Sequence, residues 1–179
     1  MLFPVADAHT HALVHNAVVN RFPFDPMPHG YIYSVGIHPW HAADATPEQW
    51  QWLADAALRP DVVAIGEAGL DKLCSTPLPV QTDAFIRQVR LSESVGKPLI
   101  IHNVRTNQEI LDLRTRLRPT QPWVLHGFRG KPELAQMFLR RGFHISLPPR
   151  HNPATAAVIP PSRLLHESDT PPESESRSR

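Results

Sequence analysis

Asp7-Ala-His-Thr-His11 closes a short apolar run, Leu2-Phe-Pro-Val-Ala6. Side chains of an extended strand alternate between faces, so Asp7, His9 and His11 point one way and Ala8 and Thr10 the other. Two imidazoles spaced like this can both reach one divalent cation at about 2.0–2.1 Å. With 11 histidines in 179 residues, one His-x-His pair carries little by itself. Four further apolar runs end in the same manner, however. Val62-Val-Ala-Ile-Gly-Glu67 ends on a carboxylate, Pro98-Leu-Ile-Ile-His102 and Trp123-Val-Leu-His126 on imidazoles, and Arg163-Leu-Leu-His-Glu-Ser-Asp169 on a carboxylate.

Together His9, His11, Glu67, His102, His126 and Asp169 make four imidazoles and two carboxylates. One ion takes about four ligands, so six groups suffice for two ions if a carboxylate bridges them. Two ions a few Å apart lower the pKa of a water and clamp the attacking and leaving oxygens of a phosphodiester. Softness favours Zn, Mn or Ni over Mg in so imidazole-rich a set. Glu67 and Asp169 are the candidate catalytic carboxylates. Arg105 follows His102 by three residues, Arg129 and Lys131 follow His126 just before a helix start, and Arg150 follows the strand ending at Leu147. Cations and free helix amides at strand ends suit a phosphate-bearing substrate, with Arg105, Arg129 and Lys131 as its candidate contacts.

Such residues need a scaffold that delivers strand ends to one place. Short Ile-, Val- and Leu-rich runs suit strands buried on both faces, as in a parallel sheet. Ligand-type residues recurring at their ends are what the rim of an α/β barrel looks like. The pattern predicts strands near Ala12–Asn20, Tyr31–Ile37, Phe143–Leu147 and Arg163–Glu167 besides those named. Thr46-Pro-Glu-Gln49 matches a capping box with proline at the first helical position, and Trp50, Leu53, Ala54, Ala57 and Leu58 follow at helical spacing. Further helices are expected over Val80–Val95, Asn107–Leu117 and Pro132–Arg141. The proline-broken Phe22–Pro28 leaves no room for a helix between the first strands. His38 and His41, in Gly36-Ile-His-Pro-Trp-His41, face either the substrate or the backbone of their own turn. The expected fold is α/β, an abbreviated or distorted TIM (β/α) barrel over residues 1–170, followed by a disordered polar tail at 171–179.

At 179 residues the chain is short for a complete barrel of about 250. A 41% hydrophobic and 20% charged composition describes a soluble globular protein, and a net charge of +1 gives no general attraction to nucleic acid. No apolar stretch approaches the roughly 20 residues of a membrane span, and no secretory signal is evident. The lone Cys74 cannot form an internal disulfide, which fits a reducing, cytoplasmic location.

Six motifs resemble the TatD-type metal-dependent deoxyribonucleases of the amidohydrolase superfamily. They are Asp7-Ala-His-Thr-His11, Gly36-Ile-His-Pro-Trp40, Ile65-Gly-Glu-Ala-Gly-Leu-Asp71, Ile100-Ile-His102, Leu125-His-Gly-Phe-Arg-Gly130 and His166-Glu-Ser-Asp169. They stand in family order over about residues 5–170, and the Gly-Glu-x-Gly-Leu-Asp element is the most specific. The resemblance implies a distorted TIM barrel and metal-dependent DNA hydrolysis, often as a 3′–5′ exonuclease. It also implies His9, His11 and Asp169 on one ion, His102 and His126 on the other, and Glu67 shared. It brings Mg into consideration beside the softer ions. Two departures stand out: a shorter segment after the first strand, and a polar ending where longer members continue into helix. The second suggests a truncated or frame-shifted form, or one that covers the exposed face by association; Leu164 and Leu165 are then expected to expose an apolar patch, with self-association or reduced stability, unless Pro148–Pro161 packs over the gap. A small-molecule amidohydrolase or lactonase, and a degenerate non-catalytic barrel, are the competing readings.

Overall fold

The computed structural model describes residues 2–171. Its eight strands are β1 (Asp7–Thr10), β2 (Ala17–Arg21), β3 (Ile32–Val35), β4 (Val62–Asp71), β5 (Leu99–Val104), β6 (Trp123–Leu125), β7 (His144–Leu147) and β8 (Leu164–His166). Each pairs in parallel with the next, in sequence order, so the sheet curls toward closure as a barrel. The last gap closes through loop bonds and not through a ladder. Asp169 N donates to His9 O (3.1 Å), and His11 N and Ala12 N donate to Thr170 O (2.9 and 3.2 Å).

The barrel interior divides into two layers. Ala8, Val18, Ala64, Ile100 and Val124 are buried together with Phe3, and half-buried Ile32 and Leu165 pack against them. Two residues further along the same strands, on the same face, come Asn20, Ser34, His102, His126 and Glu167. The interior thus turns from apolar to polar within one step of the pleat, and Ser34 Oγ donates to Asn20 Oδ1 at 3.0 Å within the polar layer.

Outside lie α1 (Pro47–Ala57), α2 (Leu78–Val95), α3 (Asn107–Leu117), α4 (Pro132–Arg140) and α5 (Pro153–Val158). The capping box at Thr46 forms as expected: Gln49 N donates to Thr46 Oγ1, and Thr46 N to Gln49 Oε1. Gly96 stops α2 in the left-handed region at φ 67°. The outer core is aromatic, with Trp123 edge-on to Phe85 (5.3 Å) and to Phe143 (5.6 Å). None of the described helices is long and apolar enough to cross a membrane.

The expected abbreviation of the barrel is found, and two other expectations need adjusting. All eight strands fit into the short chain, and the economy falls on the helical layer: no helix separates β1 from β2 or β2 from β3. The second strand begins at Ala17 instead of Ala12, because Leu13 and Val14 are exposed in the preceding loop and Asn16 turns the chain at φ 59°. The side of β8 expected to be bare is partly covered. Leu164 and Leu165 are half-buried, Leu164 on the outer core and Leu165 inside the barrel. The proline-rich stretch contains α5, which packs beside α4, where Thr155 Oγ1 donates to Gly130 O (2.8 Å). Nearly all of the expected polar tail lies outside the described residues.

Candidate metal centre

Glu67 sits at the heart of the rim, 3% exposed. It reaches that place because β4 bulges between Ile65 and Ala68, and two glycines let the bulge press on β5. A Cβ on Gly66 would stand 2.5 Å from Ile100 O, and one on Gly69 only 1.9 Å from His102 O. Neither position has room for a side chain.

The two oxygens of Glu67 face different partners. Oε1 lies 2.7 Å from His102 Nδ1 and 2.6 Å from His126 Nε2, with His38 Nε2 at 3.5 Å. Oε2 lies 3.5 Å from His9 Nε2 and 3.6 Å from His11 Nε2. Asp169 Oδ1 completes the second group, 3.8 Å from each of the same two nitrogens. All six residues named from the sequence therefore meet. Donor atoms of His9, His11 and Glu67, of His9, His126 and Asp169, and of His38, Glu67 and His102 each lie within 4.8 Å of one another, the spread one ion can span.

The polar chemistry fits a cation. His9 Nδ1 and Nε2 are buried with no hydrogen-bond partner among the described residues. Buried, unpaired imidazole nitrogens are costly unless something coordinates them. Burial would raise the Glu67 pKa, but the charge on His126 and hydrogen bonds from His102, His126 and His38 hold it well below the usual carboxylate range. Burial works against a charged His126 too, and Glu67 and Glu167 overcome it to push its pKa well up. Burial and the neighbouring His9 push His11 down to about 4. Asp169 is raised by burial. The group is an anion surrounded by bases, ready to exchange a shared proton for a metal.

The family model described as TatD related DNase matches residues 25–179. The chain belongs to this family. It is 31% identical over 154 residues to the uncharacterized metal-dependent hydrolase YabD of Bacillus subtilis, over 79% of this chain and 59% of that protein. It is 34% identical over 149 residues to a 3′–5′ ssDNA/RNA exonuclease TatD of Enterobacter lignolyticus, over 77% of this chain and 57% of that protein. The crystal structure of YjjV, a TatD homologue from Escherichia coli, superposes with a TM-score of 0.73 at 25% identity, over 86% of this chain and 66% of that one. The chain thus spans a little under three fifths of the length of these two curated relatives.

Two carboxylates of this TatD-related chain stand behind the histidines and were not among the expected ligands. Asp71 Oδ2 lies 3.1 Å from His102 Nε2 and accepts from Trp40 Nε1 (2.7 Å). Glu167 Oε1 lies 3.5 Å from His126 Nδ1 and accepts from Gly127 N (2.6 Å). A carboxylate on the far nitrogen fixes the tautomer and aim of a ligating imidazole. Both residues lay inside quoted motifs, Asp71 closing the Gly-Glu-x-Gly-Leu-Asp element and Glu167 two residues before Asp169. Of the choices left open for His38, the bond to its own turn forms, since Nδ1 accepts from Trp40 N (3.2 Å), while Nε2 faces Glu67.

An open cavity of about 920 Å³ lies over the centre, walled by Phe22, Trp40, His41, Arg21 and Asp25 among others. The basic residues expected at the substrate are spread more widely. Arg105 and Arg129 line a separate cavity of about 280 Å³ on the other side of His126. Lys131 is exposed at the N-cap of α4 and lines neither.

Proposed function

We propose that this site holds two divalent metal ions and hydrolyses phosphodiester bonds of single-stranded nucleic acid, releasing nucleotides from a 3′ end. His9, His11 and Asp169 would hold one ion, His102 and His126 the other, and Glu67 both. The observation that carries the reading is the division of labour at Glu67, whose two oxygens each face a different histidine pair. Ions bound there supply Lewis-acid charge, which lowers the pKa of water and neutralises the oxygens of the diester. Zn, Mn and Mg are the candidate ions. Asp71 and Glu167 hold His102 and His126 in one tautomer and orientation. Asp169 is the most exposed carboxylate of the centre, its side chain 37% exposed, which leaves it accessible to take the proton of an attacking water. The 3′–5′ direction and single-stranded substrate follow the named activity of the TatD relatives.

A reducing, cytoplasmic setting for the lone Cys74 and self-association beside β8 belong to the same reading. Metal analysis of the purified protein, followed by digestion of 3′- and 5′-labelled single-stranded DNA with and without chelator, tests it. The expected result is bound metal and a chelator-sensitive ladder shortening from the 3′ end. Turnover of lactones or amides with intact DNA would instead support the small-molecule hydrolase, and bound metal with no turnover the degenerate barrel.

A further inference from the structure

Arg21, the last residue of β2, is only 8% exposed, yet no carboxylate among the described residues pairs with it. Asp25, whose charge favours the guanidinium, makes no ion pair with it, and its Oδ2 accepts from Phe22 N at 2.8 Å. Buried guanidinium groups normally have an anionic partner. Arg21 has backbone carbonyls instead. Nε donates to Pro26 O (3.1 Å), and Nη1 donates to Asn20 O (2.8 Å) and His11 O (2.9 Å). Those bonds use three of its five N–H groups. The remaining two sit on Nη2, which has no protein partner among the described residues and is not sealed from solvent. Arg21 is also one of the residues that wall the cavity over the centre.

Three carbonyl bonds freeze the side chain, so its remaining donors cost little further entropy to use. One of those bonds goes to the backbone of His11, whose ring faces Glu67. The free donors are therefore tied to the centre itself, whereas Arg105 and Arg129 stand around the far side of His126. We propose that Arg21 is the phosphate-binding residue of the cavity, its Nη2 donating to non-bridging oxygens of a phosphodiester. The proposal rests on the nucleic-acid reading above. The alternative is that Arg21 merely staples the loops after β1 and β2.

The test uses the full, Mn-loaded chain, a single-stranded DNA oligonucleotide, and the variants Arg21→Met and Arg21→Lys. A charge-assisted hydrogen bond lost from substrate binding raises KM about 10- to 100-fold with a smaller change in kcat. Arg21→Met should also flatten the salt dependence of oligonucleotide affinity by about one unit of slope. An oligonucleotide with an uncharged methylphosphonate at its 3′-terminal linkage should bind wild type and Arg21→Met alike. If Arg21→Met fails to fold, Arg21→Lys keeps the charge without the fork and should still raise KM. Folded variants with wild-type KM and salt slope, differing only in melting temperature, would leave Arg21 a staple and overturn the proposal. If the wild type neither binds nor cuts the oligonucleotide, the nucleic-acid reading fails first and this one with it.

Discussion

The two halves of the barrel are built differently. From β4 to β7 the strands are backed by α2, α3 and α4, and the histidines on their ends lean on buried carboxylates: His102 on Asp71, His126 on Glu167. From β8 round to β3 the outer layer is sparse. β1, β2 and β3 follow one another without helices, and the seam is held by loop amides on Thr170 and His9. This thinner half supplies His9, His11 and Asp169, and Arg21 ties its loops through the carbonyls of His11, Asn20 and Pro26. The proposed ion positions are therefore unequal. The one against His102 and His126 has short contacts to Glu67 and aimed imidazoles, while the one against His9, His11 and Asp169 has longer contacts and a partly open carboxylate. A supported site should bind more tightly than one whose ligands are held by loops.

The largest effect is expected where the halves meet. Glu67→Ala should abolish turnover and cut bound metal at both positions, whereas Asp169→Asn should mainly empty the thinner half; metal analysis of the dialysed variants separates the two. Next, Trp123→Ala, in the helix-backed half, should destabilise the fold by about 3–5 kcal/mol. Leu165→Ala, at half-buried β8, should cost about 2 kcal/mol or less, and denaturant melts compare them. Equal costs would mean that the thin half is as well packed as the other. Then Asp71→Asn and Glu167→Gln should each weaken metal binding by about 10- to 100-fold, measured by competition with a chelating dye. The effect should be confined to the tighter ion.

The smallest effect concerns acid stability. Burial, aided by the charges of Arg163 and Arg114, pushes His144 on β7 down to about 4 from its ordinary 6.5. A depressed folded pKa means stability present above about 6.5 and lost as pH falls toward about 4, because the unfolded chain takes up the proton first. His144→Gln should flatten that part of the pH–stability curve. An unchanged curve would place the acid-sensitive groups elsewhere.

The six central residues were legible because each closes an apolar run, and a parallel barrel brings strand ends together whatever its loops do. The tight place that Gly66 and Gly69 make beside Glu67 was not read from the sequence, because only the packing of β4 on β5 shows that a Cβ is forbidden there. Depth was harder to see. Asp71 and Glu167 stood in the quoted motifs, but nothing in a linear chain says that a carboxylate faces inward behind a histidine. Arg21 was missed because the expected strand, Ala12–Asn20, stopped one residue short of it and the proline-rich loop that follows read only as a break. Arg105, Arg129 and Lys131 showed the converse. Their place after strand ends was right, yet which cavity they line depends on how each loop turns, and Arg105 turns at φ 55°. Helix α5, six residues long, was too short for periodicity to reveal.

One carboxylate, Glu67, is proposed to serve two ions. Anomalous diffraction from crystals of the Mn-loaded protein tests it most directly. Two anomalous peaks about 3.5–4 Å apart are predicted, one beside each oxygen of Glu67, with the peak near His9, His11 and Asp169 the first to fade on brief chelator soaks. A single peak, or two peaks with Glu67 bound to only one, would contradict the account.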